Sequence, residues 1–168
     1  MNSKTEPAFL AEMTAEQVIE VLELEYLEGE GVWFQVAWRT AEANSIYGLL
    51  TPTDFSALHV LPELEAWVHV AGAPVDMTVL HEDHTVTNHV LGQEVKAGQR
   101  PQYLVPANSW QGSTTRGQWS LVVCTLSPPF SAFELAFPHT DFTPWLAKLG
   151  EGENSAQLNN RLKELIRE

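Results

Sequence analysis

The chain has 168 residues, 44% of them hydrophobic, with 22 acidic against 9 basic side chains and a formal charge of −13. That length suits one domain with a short appendage. The charge repels phosphate backbones and anionic bilayers, which excludes nucleic acid and membrane surfaces as partners.

In chain order, residues 1–13 read as a flexible arm without an apolar signal core, and no run approaches the ~20 apolar residues of a membrane span, so a cytoplasmic location is expected. Thr14 opens TAEQ, a capping box in which Thr14 caps and Gln17 reaches back. Val18, Ile19, Leu22 and Leu24 give the following short helix an apolar side, and LEGEG ends it. The texture then changes to short runs rich in Val, Leu, Thr and aromatics: VWFQVAWRT, SIYGLLT, FSALHVL, EAWVHVAG, VDMTVL, TVTNHVLG, YLVP and WSLVVCTL. Pro, Gly, Asn and Asp punctuate them, the rhythm of a β-sandwich or barrel. HEDH, His81 to His84, falls between two such runs as a hairpin loop. Cys124, the lone cysteine, sits in SLVVCTL and reads as a small buried hydrophobe. FTPWLAKLG predicts a short helix started near Pro144 and stopped at Gly150. After the linker GEGENS, QLNNRLKELIRE puts Leu158, Leu162, Leu165 and Ile166 on one helical face, expected to pack on its own domain or on a neighbouring subunit. The expected division is an arm over 1–13, one domain over 14–149, and a linker with a C-terminal helix over 150–168.

Two motifs carry a resemblance. The stretch FSALHVLPELEAWVHVAG is similar to the first cupin motif, G-x5-H-x-H-x3-E-x6-G, in which two His and one Glu bind a metal; His59, Glu65 and Gly72 match, while Leu61 replaces the second His and Thr53 the leading Gly. VPANSWQGSTT is similar to the second motif, G-x5-P-x-G-x2-H-x3-N, with Pro106 as its Pro, Asn108 for Gly, Gln111 for His and Thr115 for Asn. EGVWFQVAWRT, NSIYGLL, FSALHVL, LEAWVHVAG, GQRPQYLVPANSWQ and GQWSLVVCTLSPPFSAFELA then resemble, in order and spacing, the cupin-5 group, also called domain of unknown function 985. The resemblance runs from about Val18 to Pro138, and the chain is identified as a divergent member. It implies a mainly β fold, a single jelly-roll β-barrel with short terminal helices, and a homodimer. Two departures stand out: Glu28-Gly29-Glu30-Gly31-Val32 where the group has His before Pro-Glu-Gly-Gly, and a histidine shifted by one residue in Trp67-Val68-His69-Val70.

Strand alternation turns the resemblance into a pocket. With His59 inward, Ala57 and Phe55 are expected inward too; Glu65, Trp67 and His69 share one parity, as do Gln111, Ser113 and Thr115. Tyr103 and Trp110 are expected at the wall and rim. His59, Glu65 and His69 are the candidate catalytic residues, and Trp67, Tyr103, Trp110, Gln111 and Ser113 the candidate substrate contacts. With Leu61 unable to ligate, no metal and no other cofactor is expected; any metal would fall to His59, Glu65 and Gln111. Arg39 is expected to pair with Glu30 or to meet a substrate anion, the ion pair being preferred. A carboxylate beside an imidazole in an apolar cavity is acid–base equipment. The leading expectation is a metal-independent enzyme of isomerase, epimerase or cyclase type acting on a small polar molecule. The alternatives are a non-catalytic ligand-binding or sensory cupin, and a weakly metal-dependent oxygenase or lyase.

Overall fold

The computed structural model describes residues 9–167, so residues 1–8 of the expected arm lie outside the described residues. Among the described residues eleven strands and three α-helices follow in the order expected from the apolar runs. Helix α1, Ala15–Val21, starts on the capping box: Gln17 N donates to Thr14 Oγ1 at 3.4 Å, and Thr14 N donates back to the Gln17 side chain at 2.9 Å.

The strands are β1 Glu25–Tyr26, β2 Trp33–Arg39, β3 Asn44–Leu50, β4 Ser56–Val60, β5 Leu64–Gly72, β6 Val75–Leu80, β7 Val86–Leu91, β8 Gln102–Val105, β9 Trp110–Thr115, β10 Ser120–Ser127 and β11 Glu134–Leu135. They form two antiparallel sheets, ordered β1-β2-β3-β10-β5-β8 and β11-β4-β9-β6-β7. These two sheets make a jelly roll, with chain neighbours such as β4 and β5 in opposite sheets. Alternation along β5 buries Glu65, Trp67 and His69 and leaves Leu64 exposed.

The core between the sheets gathers Trp67, Val75, Met77, Leu91, Val105 and Val122. Cys124 belongs to it, and burial pushes its thiol well above the ordinary range, as suits a packing residue.

A second core lies outside the five-stranded sheet. There Leu58 and Leu80 meet Phe142, helix α2 Thr143–Leu149 and helix α3 Glu153–Leu165. The last helix begins inside the expected linker, where Glu153 in its first turn favours the positive helix end. It buries Leu158, Leu162 and Leu165 on its own domain, at about 1.5–3 kcal/mol for each fully buried leucine. That packing holds a segment too short for independent helicity. A third cluster packs α1 against the end of the six-stranded sheet through Val18, Leu49, Trp119 and Leu121.

HEDH forms the expected hairpin: His81 N donates to Thr85 O at 2.9 Å, and Asp83 accepts from the Thr85 amide. No helix among the described residues is long and apolar enough to cross a membrane.

Candidate functional site

His59 sits on β4 opposite Gln111 of β9, and Glu65 faces them from β5 in the other sheet. His59 and Glu65 line a cavity of about 200 Å³. Leu27, Phe34, Val36, Leu61 and Phe133 are among its apolar walls, and Glu30, Arg39, His59 and Glu65 supply its charged or titratable groups. The volume is below the roughly 300–1,000 Å³ of drug-sized sites, so it suits a compact occupant.

The hydrogen bonds of His59 define its tautomer. Its Nδ1 lies 2.7 Å from the carbonyl oxygen of Ala57, which can only accept, so Nδ1 carries the hydrogen. Nε2 is then the nitrogen that can offer a lone pair, and no protein group among the described residues bonds to it. The Glu30 carboxylate stands 3.9 Å from Nδ1 and lines the cavity as well. The Phe133 ring packs edge-on at 6.3 Å.

Glu65 is 4% exposed, and its Oε2 accepts from Gln111 Nε2 at 2.6 Å. Burial is the main reason its carboxyl titrates above the ordinary range; the Glu30 charge adds to the rise, while His59 and the Gln111 bond oppose it. Gln111 Oε1 and Ser113 Oγ are buried without a partner, so the inner wall keeps unused hydrogen-bonding capacity.

Glu30 reaches the cavity from the loop between β1 and β2. Ser56 Oγ donates to its carboxylate at 2.6 Å, and Ala57 N donates to its carbonyl at 3.0 Å. Arg167, just past the end of α3, grips the same loop through the carbonyls of Glu30 and Gly31, and β4 through that of Phe55. Gly31 has φ +91°, and a Cβ there would run into the Arg167 guanidinium.

The segment after β10 forms part of the cavity wall through Phe130 and Phe133. It is pinned by Asn44 accepting from Phe130 N at 2.6 Å and by Glu63 accepting from the Ser131 amide and hydroxyl.

The structure thus brings His59, Glu65 and Gln111 together and distributes the other sequence-derived candidates around them. Trp67 and Ser113 are buried deeper in the roll. His69 is also buried, but its Nε2 lies 2.9 Å from Ala73 O, and it does not line the cavity. Tyr103 stacks on His89 with ring centroids 3.6 Å apart. Trp110 packs edge-on against Phe142 in the outer, helix-covered core.

Two expectations are corrected, one from strand alternation and one of an ion pair. Phe55 is not inward: between Ser56 and His59 the β4 ladder slips by one residue, so Ser56 joins His59 inside while Phe55 packs with Leu58 outside. Arg39 does not pair with Glu30; its Nη2 donates to Phe130 O at 3.1 Å. Glu30 and Ser56 were absent from the sequence-derived candidates. The glycines flanking Glu30 were the available signal for a close-packed loop, whereas a slip in a ladder has no signature in residue type.

Does the donor set suit the metal of the cupin motif? Leu61 lines the wall at the second histidine position, and Gln111 turns its amide nitrogen toward Glu65. Among the described residues no group of three or more His, Cys, Asp or Glu is placed to hold a metal ion. The residues present do not fit that group.

Comparison with known proteins supports the same lineage. Residues 16–137 match the family described as "Cupin superfamily (DUF985)". A hypothetical protein from Leishmania major is similar at 26% identity with a TM-score of 0.77, over 93% of this chain and 100% of its own. A protein from Shewanella oneidensis is similar at 30% identity with a TM-score of 0.77, over 92% of this chain and 98% of its own. A cupin-2 domain protein from Rhodospirillum rubrum, 14% identical with a TM-score of 0.58 over 83% of this chain and 88% of its own, shares the fold. No curated protein matches the chain. With that family match spanning most of its length, on a two-sheet roll, the chain belongs to the cupin superfamily, in its DUF985 family.

Proposed function

We propose that the cavity between the sheets binds a small organic molecule and moves a proton on it without a metal. The observation that carries this reading is the state of His59. Its Nδ1–H is committed to Ala57 O, so the ring holds one tautomer and turns its free lone pair to a cavity it lines. That arrangement is a general base at rest. Glu65 is the partner acid: burial favours its protonated form, and Gln111 orients it. The apolar walls restrict water around the pair, which strengthens every polar contact inside. His59 would take a proton from one atom of the substrate and Glu65 would supply one to another, the pattern of an isomerase, epimerase or cyclase. Ser56 holds the Glu30 carboxylate beside His59 and so acts as a positioning residue.

Deuterium wash-in tests the proposal. Molecules that bind the cavity are incubated with the protein in D2O, and exchange at carbon is followed by NMR. The expected result is exchange that His59→Ala abolishes while binding persists. Cavity-bound molecules that never exchange would make this a binding or sensory cupin. A homodimer and a cytoplasmic location belong to the same proposal, and sizing that returns the mass of one chain would remove the first.

A further inference from the structure

A slip in a β-ladder decides what stands at the cavity mouth. Phe34 and Val36 of β2 face the cavity, and plain alternation would send Trp38 in after them and leave Arg39 outside. The pairing with β3 shifts between Val36 and Trp38, with Ala37 as the extra residue. Parity reverses there: Arg39 lines the cavity with Phe34 and Val36, and Trp38 does not. Among the described residues no carboxylate stands within ion-pair distance of Arg39, and the Phe130 carbonyl takes only one of its five N–H groups. The mouth therefore offers positive charge and free donors.

The floor offers the opposite. The Ser56 hydroxyl is spent on Glu30, the His59 Nδ1–H on Ala57 O, and the Gln111 amide on Glu65. Among the cavity-lining groups there, the His59 Nε2 lone pair and the Glu30 carboxylate remain as acceptors, and the Glu65 carboxyl beside them keeps an oxygen that accepts whether or not the group is protonated. Mouth and floor lie on one cross-strand row: Arg39 pairs with Asn44, Asn44 with Leu126, and Leu126 with Glu65. Three strand spacings are roughly 14 Å along the sheet, and both side chains shorten the gap between their charged ends. Leu126 and Ile46 line the stretch between.

We propose that the occupant is a short two-ended molecule, with a carboxylate received by Arg39, an apolar middle of a few carbons, and a hydroxyl or ammonium donor received by His59 Nε2 and the Glu30–Glu65 pair. This assignment rests on the proposed function only in taking the cavity as the site; it names the ligand class and the direction in which the ligand lies.

Calorimetric titration with four probes tests it: ω-hydroxypentanoate and ω-aminopentanoate carry both ends, pentanoate only the anion, and pentylamine only the donor. At least one two-ended probe should bind about tenfold or more tighter than either one-ended probe. Arg39→Gln should weaken the carboxylate probes by about tenfold or more and leave pentylamine unchanged, with Arg39→Lys between the two. Leu61→Trp, which fills the cavity, should abolish binding of all four. If every probe loses binding in Leu61→Trp but none responds to Arg39→Gln, the ligand class is wrong and the cavity still stands as the site. If the probes bind equally well in Leu61→Trp, both readings fail. If none binds the wild-type protein, the two-ended class is overturned, and the deuterium experiment decides the cavity independently.

Discussion

The roll carries an imidazole toward each of two ends, and the two are held differently. His59 bonds through Nδ1 to its own strand and leaves Nε2 facing a cavity. His89 sits on the edge strand β7, stacks on Tyr103 of β8 and places Nε2 2.9 Å from Thr87 Oγ1, which also meets His81 Nε2 at 2.7 Å. That second end ties the edges of the two sheets together and lines none of the cavity around His59. Residue type alone does not separate them. Each ring has one nitrogen committed to a protein oxygen; the difference is placement, since His59 lines a cavity between the sheets whereas His89 is stacked on Tyr103 at their edges.

Breaking one end at a time sharpens the contrast. The largest expected effect is on chemistry. His59→Ala should lower proton exchange on a bound substrate by about 10²–10⁴-fold, the usual worth of a positioned base. His89→Ala should leave that rate unchanged; a comparable loss there would erase the distinction between the ends.

Next comes stability of the interior that both ends share. Trp67→Ala removes a ring 3% exposed and should cost about 3–5 kcal/mol in urea unfolding, without the free-standing change in exchange chemistry that His59→Ala shows.

A smaller effect concerns pH at the cavity end. Glu65 titrates above its ordinary 4.5 when folded, so the folded state holds the extra proton. Stability is then greatest below the unfolded value and declines as pH rises through the raised one. Each unit of that rise corresponds to about 1.4 kcal/mol. Glu65→Gln keeps the shape and the Gln111 contact but removes the titration. Urea midpoints at about pH 4 and about pH 8 should converge in the variant, which should exceed the wild type in stability at the higher pH; an unchanged slope would show that the carboxyl is not buried as described.

The smallest effect lies at the other end and runs the opposite way. Desolvation, aided by His81, lowers His89 below its ordinary 6.5. Its contribution is present above that value and is lost as pH falls from it through the lowered folded value. Solvent around this half-exposed ring keeps the loss small. His89→Gln should flatten thermal midpoints slightly over that acidic window, and a change at neutral pH would contradict the assignment.

Much of this was legible in the residues. The capping box at Thr14 and Gln17, the apolar face of the last helix, and the hairpin at His81 to His84 each follow from local patterns, because caps, helical period and turn chemistry act over a few residues. The shared burial of Glu65, Trp67 and His69 followed from strand parity alone. Parity failed at Phe55 and would have failed at Arg39, for one reason: each lies beside a slipped ladder, and beyond an extra residue every side chain changes sides. Trp110 illustrates a further limit. Its neighbour Gln111 faces the roll, while Trp110 itself faces a helix more than thirty residues later in the chain, and no short-range pattern encodes that neighbour.

The order of strands and short helices, the histidine and glutamate at motif spacing, and the family they signal were written in the chain, since they depend on residue type and local period. Which nitrogen of His59 stays free, that Glu30 and Ser56 stand beside it, and that Arg39 rather than Trp38 turns inward were decided by how two sheets meet and where their ladders slip. Those outcomes depend on long-range register, in which a single residue reverses the face on which a side chain acts.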